Sequence, residues 1–292
     1  MKKLKEIDDG YQAWNRNLQF KCNYTYTEGV ASTEEEAKLM LISKCEKITL
    51  KISGQIAKSK SKTLLSQVVE FDSYSPLQTQ GYIAVINETL EVHYVACNGK
   101  KTLDTLSIME RKVEDMMLCC PRVPQSPTIK PFNYSSLSIL ELLEKLQKIV
   151  AVTHPVLKVF DDGTIEVSYG YKGQSGINTD ASIKYSILGK YPIPTENRIS
   201  VEKSYYQLTV VRDFITGNDK MVIPTTIVSY SGPMKDWRGK EYEGKWLVRE
   251  WKAENVTSSG ISDRDFFIPL NKDTHVGGLT LDLSKEIKKN MP

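Results

Sequence analysis

The chain has 292 residues, with 39 Lys and Arg against 36 Asp and Glu, for a formal charge of +3. So small an imbalance does not point to nucleic acid, and a hydrophobic share of 40% with a charged share of 26% excludes a fibrous or wholly disordered chain. The length allows one large domain or two small ones.

After Met1-Lys2-Lys3 the chain runs directly into Leu4-Lys5-Glu6-Ile7-Asp8-Asp9, where a secretory signal would need about 7 to 15 apolar residues. No signal peptide is read, and no apolar run approaches the roughly 20 residues of a membrane span. The expected compartment is cytoplasmic if Met1 is the native start, and periplasmic or otherwise exported if a signal peptide has been removed. Leu4, Ile7, Tyr11, Trp14 and Leu18 recur every three or four residues, which predicts an amphipathic helix over about residues 3–18. Thr33 and Glu36 have capping-box spacing ahead of Ala37, Leu39 and Met40, the start of a short second helix.

The period then falls to two. Ile48, Leu50, Ile52 and Ile56 alternate with polar residues, and further strands are expected at about 62–72, 79–87 and 90–97. Lys58-Ser59-Lys60-Ser61-Lys62 reads as a solvated hairpin tip, since no aromatic residue is interleaved with its lysines. Leu103, Leu106, Met109, Val113 and Met117 return to helical spacing, and a Pro-rich break at Pro121, Pro124, Pro127 and Pro131 separates them from a stripe of Ile139, Leu140, Leu143, Leu146 and Ile149. Together these predict a central helical segment over about 102–150.

From His154-Pro155 to about Val256 the pattern is strand again, with Asp162-Gly163 as a hairpin signal. Ile165, Val167 and Tyr169 are expected on the same interior face as Ile48, Leu50 and Ile52, with Lys51 and Glu166 toward water. About ten strands at about 4.8 Å spacing make a sheet about 48 Å wide, which three helices of about 10 Å diameter cannot cover. The expected fold is therefore α+β and mostly antiparallel: one domain over 1–292, a single strongly curved sheet or incomplete barrel with helices covering the concave face. Within it Tyr94, Ala96, Val167, Tyr169, Tyr206, Leu208 and Trp246, with Leu143 and Leu146 on the covering helix, are the candidate ligand-binding residues.

This order of elements, with the late Ile261-Ser262-Asp263-Arg264-Asp265-Phe266-Phe267-Ile268-Pro269, resembles the LolA-like fold of periplasmic lipoprotein carriers and related outer-membrane lipoprotein-sorting proteins. The likeness covers most of the chain, and its one local motif is D-x-x-F-x-x-P at Asp263, Phe266 and Pro269. The resemblance implies an incomplete antiparallel barrel, lidded by helices, that receives acyl chains and has no catalytic residues.

No catalytic or cofactor signature competes with that reading. His93, His154 and His275 lie far apart and outside any metal spacing. Gly173-Gln174-Ser175-Gly176 has Ile177 where a nucleophile elbow needs glycine, and reads as a hairpin tip. Asp161-Asp162 and Asp263 with Asp265 read as turn residues. Cys22, Cys45, Cys97, Cys119 and Cys120 lack C-x-x-C spacing and read as reduced thiols, with a vicinal disulfide of Cys119 and Cys120 as the alternative. The leading functional expectation is a non-enzymatic carrier of a lipid, a lipoprotein acyl chain or another apolar ligand, needing no cofactor or metal and binding no nucleic acid. The second is a sensor or interaction module of the same fold with a filled barrel and a protein partner at the sheet edge; the third is a hydrolase using the scattered carboxylates.

Overall fold

The computed structural model describes residues 2–43, 48–59, 62–72, 79–86, 90–97, 105–110, 140, 143–144, 147–148, 151–172, 177–202, 205–217, 220–234, 243–266 and 275–277. The chain opens with helix α1 (Lys2–Asn17), strand β1 (Gln19–Ala31) and the short helix α2 (Glu34–Met40). A first run of strands follows: β2 (Ile48–Ser59), β3 (Lys62–Asp72), β4 (Thr79–Ile86), β5 (Leu90–Cys97) and β6 (Thr105–Glu110). A second run comprises β7 (Ala151–Val152), β8 (Val156–Val159), β9 (Ile165–Lys172), β10 (Asn178–Leu188), β11 (Tyr191–Val201), β12 (Tyr205–Thr216), β13 (Val222–Gly232) and β14 (Trp246–Thr257), and β15 (His275–Gly277) comes last.

Among the described residues all of these strands join one sheet, ordered β15-β6-β5-β4-β3-β2-β1-β14-β13-β12-β11-β10-β9-β7, with β8 also on β9. Its pairs are antiparallel except β15 with β6, and its two ends do not pair with each other. Each run is a meander of neighbours, and the two meet where β1 lies beside β14. Their hairpins follow from local sequence. At Asp162-Gly163 the aspartate Oδ1 accepts from the Thr164 amide at 2.8 Å, and Gly163 takes a φ of 80° that a side chain would resist. Ser59 pairs with Lys62, so Lys60-Ser61 is the two-residue tip expected of the basic run.

Helix α1 packs by the face its spacing marks. Leu4, Ile7, Tyr11 and Trp14 are buried, while Lys5 and Asp9 pair on the water side at 2.8 Å. Trp14 Nε1 donates to the Val222 carbonyl at 3.0 Å, and the Tyr11 ring meets Tyr185 edge-on at 6.4 Å. Gly10 permits the close approach, because a Cβ there would stand 2.6 Å from the Pro192 ring. One apolar cluster joins α1 to Phe20 of β1, Ile52 of β2, Val167 of β9, Tyr185 of β10, Ile193 of β11, Val211 of β12, Ile223 of β13 and Trp251 of β14. Those eight neighbouring strands span about 34 Å at about 4.8 Å each, about three times the width of one helix. Burial at both margins follows from a sheet that curls, with α1 on its concave side. Leu143 joins the same cluster and Leu140 packs against it, whereas the helical residues Glu144, Gln147 and Lys148 are exposed.

Helix α2 lies on the opposite, convex side. Ala37 packs with Ala31, Tyr230, Trp246 and Val248. Its N-terminus is the expected capping box: Thr33 Oγ1 accepts from the Glu36 amide at 3.1 Å, and Glu36 Oε2 reaches back to the Ser32 amide at 2.6 Å.

The structure differs from the sequence reading in four places. Residues 105–110, expected in a helix, form β6 against β5; Leu106 and Ile108 also fit a period of two, and in so short a run pairing decides. The rest of 111–139 lies outside the described residues. β1 and β11 are strands the reading passed over, the second despite Pro192 and Pro194. Finally, Ile48 is 40% exposed, because a bulge at Glu28/Gly29 shifts the register between Leu50 and Ile48. Ile52, Ile165 and Val167 are buried as expected, with Leu50 and Tyr169 packed against the same cluster and Lys51 and Glu166 half-buried.

Candidate functional site

Strand alternation divides the concave face into transverse rows, read across the hydrogen-bonded registers. Beyond α1 comes an apolar row of Val211, Ile227, Trp251, Tyr26 and Ile52. The next row is polar in its middle: Asn197, Thr209, Ser229, Arg249 and Glu28 stand side by side on β11, β12, β13, β14 and β1. Ile183 and Leu50 flank it. Past it runs a mixed row of Ile199, Gln207, Ser231, Leu247 and Val30.

The centre of this band is an ion pair inside the fold. Glu28 is 1% exposed and the Arg249 side chain 17% exposed. Arg249 Nε donates to Glu28 Oε2 at 3.3 Å, and its Nη1 donates to Ser231 Oγ at 3.0 Å. The Tyr26 hydroxyl donates to the same Glu28 oxygen at 3.2 Å. Alongside, the Tyr205 hydroxyl donates to Gln207 Oε1 at 3.1 Å, and Gln207 Nε2 donates to Thr209 Oγ1 at 3.4 Å. An enclosed charge pair repays its desolvation only when further hydrogen bonds support it, as they do here. Sequence reasoning missed this band. Its one signal was a charged residue at an inward position of an otherwise apolar alternation, Glu28 after Phe20, Cys22, Tyr24 and Tyr26, and Arg249 between Leu247 and Trp251.

Nearer α1 the concave face is apolar. Burial pushes the Cys22 thiol up to about 12 and the Tyr169 phenol up to about 12. It also raises Tyr185 well above its ordinary range, with Tyr11 and Asp8 adding to the effect.

The residues expected to line one hollow divide between the two faces. Val167, Tyr169 and Leu143 belong to the concave cluster. Tyr206, Leu208 and Trp246 lie on the convex side with α2, where the Tyr206 and Tyr230 rings stand 5.6 Å apart and Tyr230 and Trp246 also 5.6 Å apart. Strand parity separates them: Trp246 and Val248 alternate with Leu247, Arg249 and Trp251 on β14. Tyr94 and Ala96 fall in β5, opposite Tyr82 and Gln80; their side chains, and Leu146, lie outside the described residues.

The carboxylates singled out in the sequence take structural positions. Asp162 closes its hairpin, and in the 3-10 turn Asp263–Phe266 Asp265 accepts from the Ser262 amide at 2.7 Å and pairs with Lys21 at 3.2 Å. The Ser262 amide and then Lys21 hold the Asp265 carboxyl below its ordinary range. His154 is exposed on a connecting segment. Among the described residues no group of three His, Cys, Asp or Glu could hold a metal ion, and no helix is long and apolar enough to cross a membrane.

No protein-family model matches the chain, and no curated protein matches it. Among solved structures it is similar to a DUF1329 family protein from Desulfovibrio piger ATCC 29098, with 9% identity over 91% of this chain and 96% of that one and a TM-score of 0.47. Two further similarities are to MucB in complex with MucA(peri), at 6% identity over 89% of this chain and all of that one with a TM-score of 0.15, and to the MucA/MucB complex of Pseudomonas aeruginosa, at 7% identity over 89% of this chain with a TM-score of 0.14.

Proposed function

We propose that this chain is a non-enzymatic binding protein that shields a lipid or another apolar molecule against the concave face of its sheet. The observation that supports this reading is the extent of that face. Its apolar rows run from Ile52 and Ile56 on β2 to Val167 on β9, a width of about 34 Å. Helix α1, about 24 Å long and about 10 Å across, reaches only part of it. A second, separate helical stretch contributes Leu140 and Leu143 to the same surface and turns Glu144 and Lys148 to water, which is the polarity of a cover. Each enclosed methylene contributes about 0.8 kcal/mol, so a chain of about ten carbons supplies enough to reach micromolar binding after the entropic cost of association.

The test is mass spectrometry of lipids that accompany the purified chain, followed by calorimetric titration of a delipidated sample with a lysolipid. A stoichiometric apolar ligand and a saturable heat are expected. A ligand-free preparation with neither heat nor thermal shift would end the carrier reading. In that event a second reading gains support, that of an interaction module with a filled interior. It rests on the close burial of Leu4, Ile7, Tyr11 and Trp14 beneath α1, and on the exposed Val156 and Val159 of β8 as a contact surface.

A further inference from the structure

The polar band described above crosses an otherwise apolar wall, and it is balanced in charge. Arg249 and Glu28 neutralise one another at 3.3 Å, while Ser229, Ser231 and Thr209 beside them both donate and accept. A purely hydrocarbon ligand laid along the strands would leave these groups facing methylenes. A ligand carboxylate or phosphate would have to sit next to the enclosed Glu28 carboxylate, and a ligand amine next to the Arg249 guanidinium; each puts like charges together away from water. A neutral group that both donates and accepts meets neither obstacle.

We propose that this band recognises a neutral hydrogen-bonding group set along the apolar ligand, the ester and hydroxyls of an acylglycerol being the chemistry that fits it. The inference rests on the carrier reading and deepens it, by assigning the class of ligand. The apolar row of Ile227, Trp251 and Ile52 on the α1 side takes the acyl chain, and the band takes the glycerol ester one row away, about 7 Å further along the strands.

The experiment uses the full chain and competition for the fluorescent apolar dye N-phenyl-1-naphthylamine. Its three competitors are 1-monolauroylglycerol, laurate and 1-dodecene, with titration calorimetry of the monolauroylglycerol as a direct check. Monolauroylglycerol is expected to bind at least tenfold more tightly than laurate or dodecene. In Glu28→Met with Arg249→Met that advantage falls to less than about threefold while dodecene binds as before. Thr209→Val with Ser229→Ala keeps the ion pair and nearly the same volume, and weakens monolauroylglycerol about tenfold; it decides the matter if the first variant fails to fold. Laurate binding as tightly as monolauroylglycerol, or both variants retaining the wild-type order, with dye and dodecene still bound, overturns the band and leaves the carrier reading standing. Absence of binding by dye, all competitors and calorimetry overturns both.

Discussion

The Glu28–Arg249 pair yields a sharp thermodynamic prediction. At 3.3 Å and an effective dielectric of about 20, the two charges attract by about 5 kcal/mol, most of which offsets their removal from water. Arg249→Met takes away the cation and leaves a carboxylate on a residue that is 1% exposed, so a loss of about 3–5 kcal/mol is expected. Glu28→Gln keeps an acceptor for the Tyr26 hydroxyl and a side chain of the same size. With the Arg249 side chain 17% exposed and so partly hydrated, the loss there should be smaller, about 1–2 kcal/mol. Replacing both charges, as Glu28→Met with Arg249→Met, should return stability to within about 1 kcal/mol of wild type. Urea unfolding followed by tryptophan fluorescence measures all three, and the slope against urea should not change between variants. A loss below about 1 kcal/mol for Arg249→Met, or a double variant as weak as the sum of the two single methionine variants, would refute the claim that an enclosed, mutually dependent pair crosses the sheet.

Leu143→Asp puts a charge into the concave core, and should both destabilise the fold by about 3 kcal/mol and raise binding of an apolar fluorescent dye; unchanged dye binding would place the helix away from the sheet. Gly54→Ala should cost at least about 2 kcal/mol in urea unfolding, since its Cβ would lie 1.8 Å from the Ser66 carbonyl oxygen, the same oxygen that the Tyr24 hydroxyl donates to at 3.0 Å. Stability should fall on the alkaline side. The Cys22 pKa is raised on folding to about 12, so its contribution is complete below an unfolded value of about 9 and is lost between there and 12, at about 1.4 kcal/mol per pH unit. Cys22→Ala should flatten that slope, and equal slopes for the two proteins would show the thiol to be accessible.

Local signals in the sequence carried the local structure. The helix stripe from Leu4 to Leu18, the Thr33–Glu36 box and the Asp162-Gly163 turn each depend on residues within a few positions, and each formed as read. Facing was harder, because the central strands are covered on both sides. β13 is buried at nearly every position from Ile223 to Gly232, since α1 lies over one face and α2 over the other, so burial carries no period there. Trp246 and Trp251 looked equivalent in the sequence, yet five residues apart on a strand they fall on opposite faces, and only the pairing of Ile227 with Trp251 shows which is concave. The polar band was invisible for a related reason. Glu28 and Arg249 are 221 residues apart, and a lone charge in a strand ordinarily marks a solvated face.

That separation has a consequence for how the protein is made. β1 lies between β2 and β14, so on the ribosome one side of it can be occupied early, but the other must wait until the chain has been extended through β14. At about 5–20 residues per second the nascent chain holds an unfilled strand edge for roughly 10–45 seconds. That edge includes Phe20, Tyr24 and Tyr26, and it is a template for pairing with any other extended segment nearby. Closure of the seam is therefore the vulnerable moment of biogenesis. Lesions in β14 should reach the cell as insoluble protein, with chaperone overexpression rescuing yield more than cooling the purified chain rescues stability.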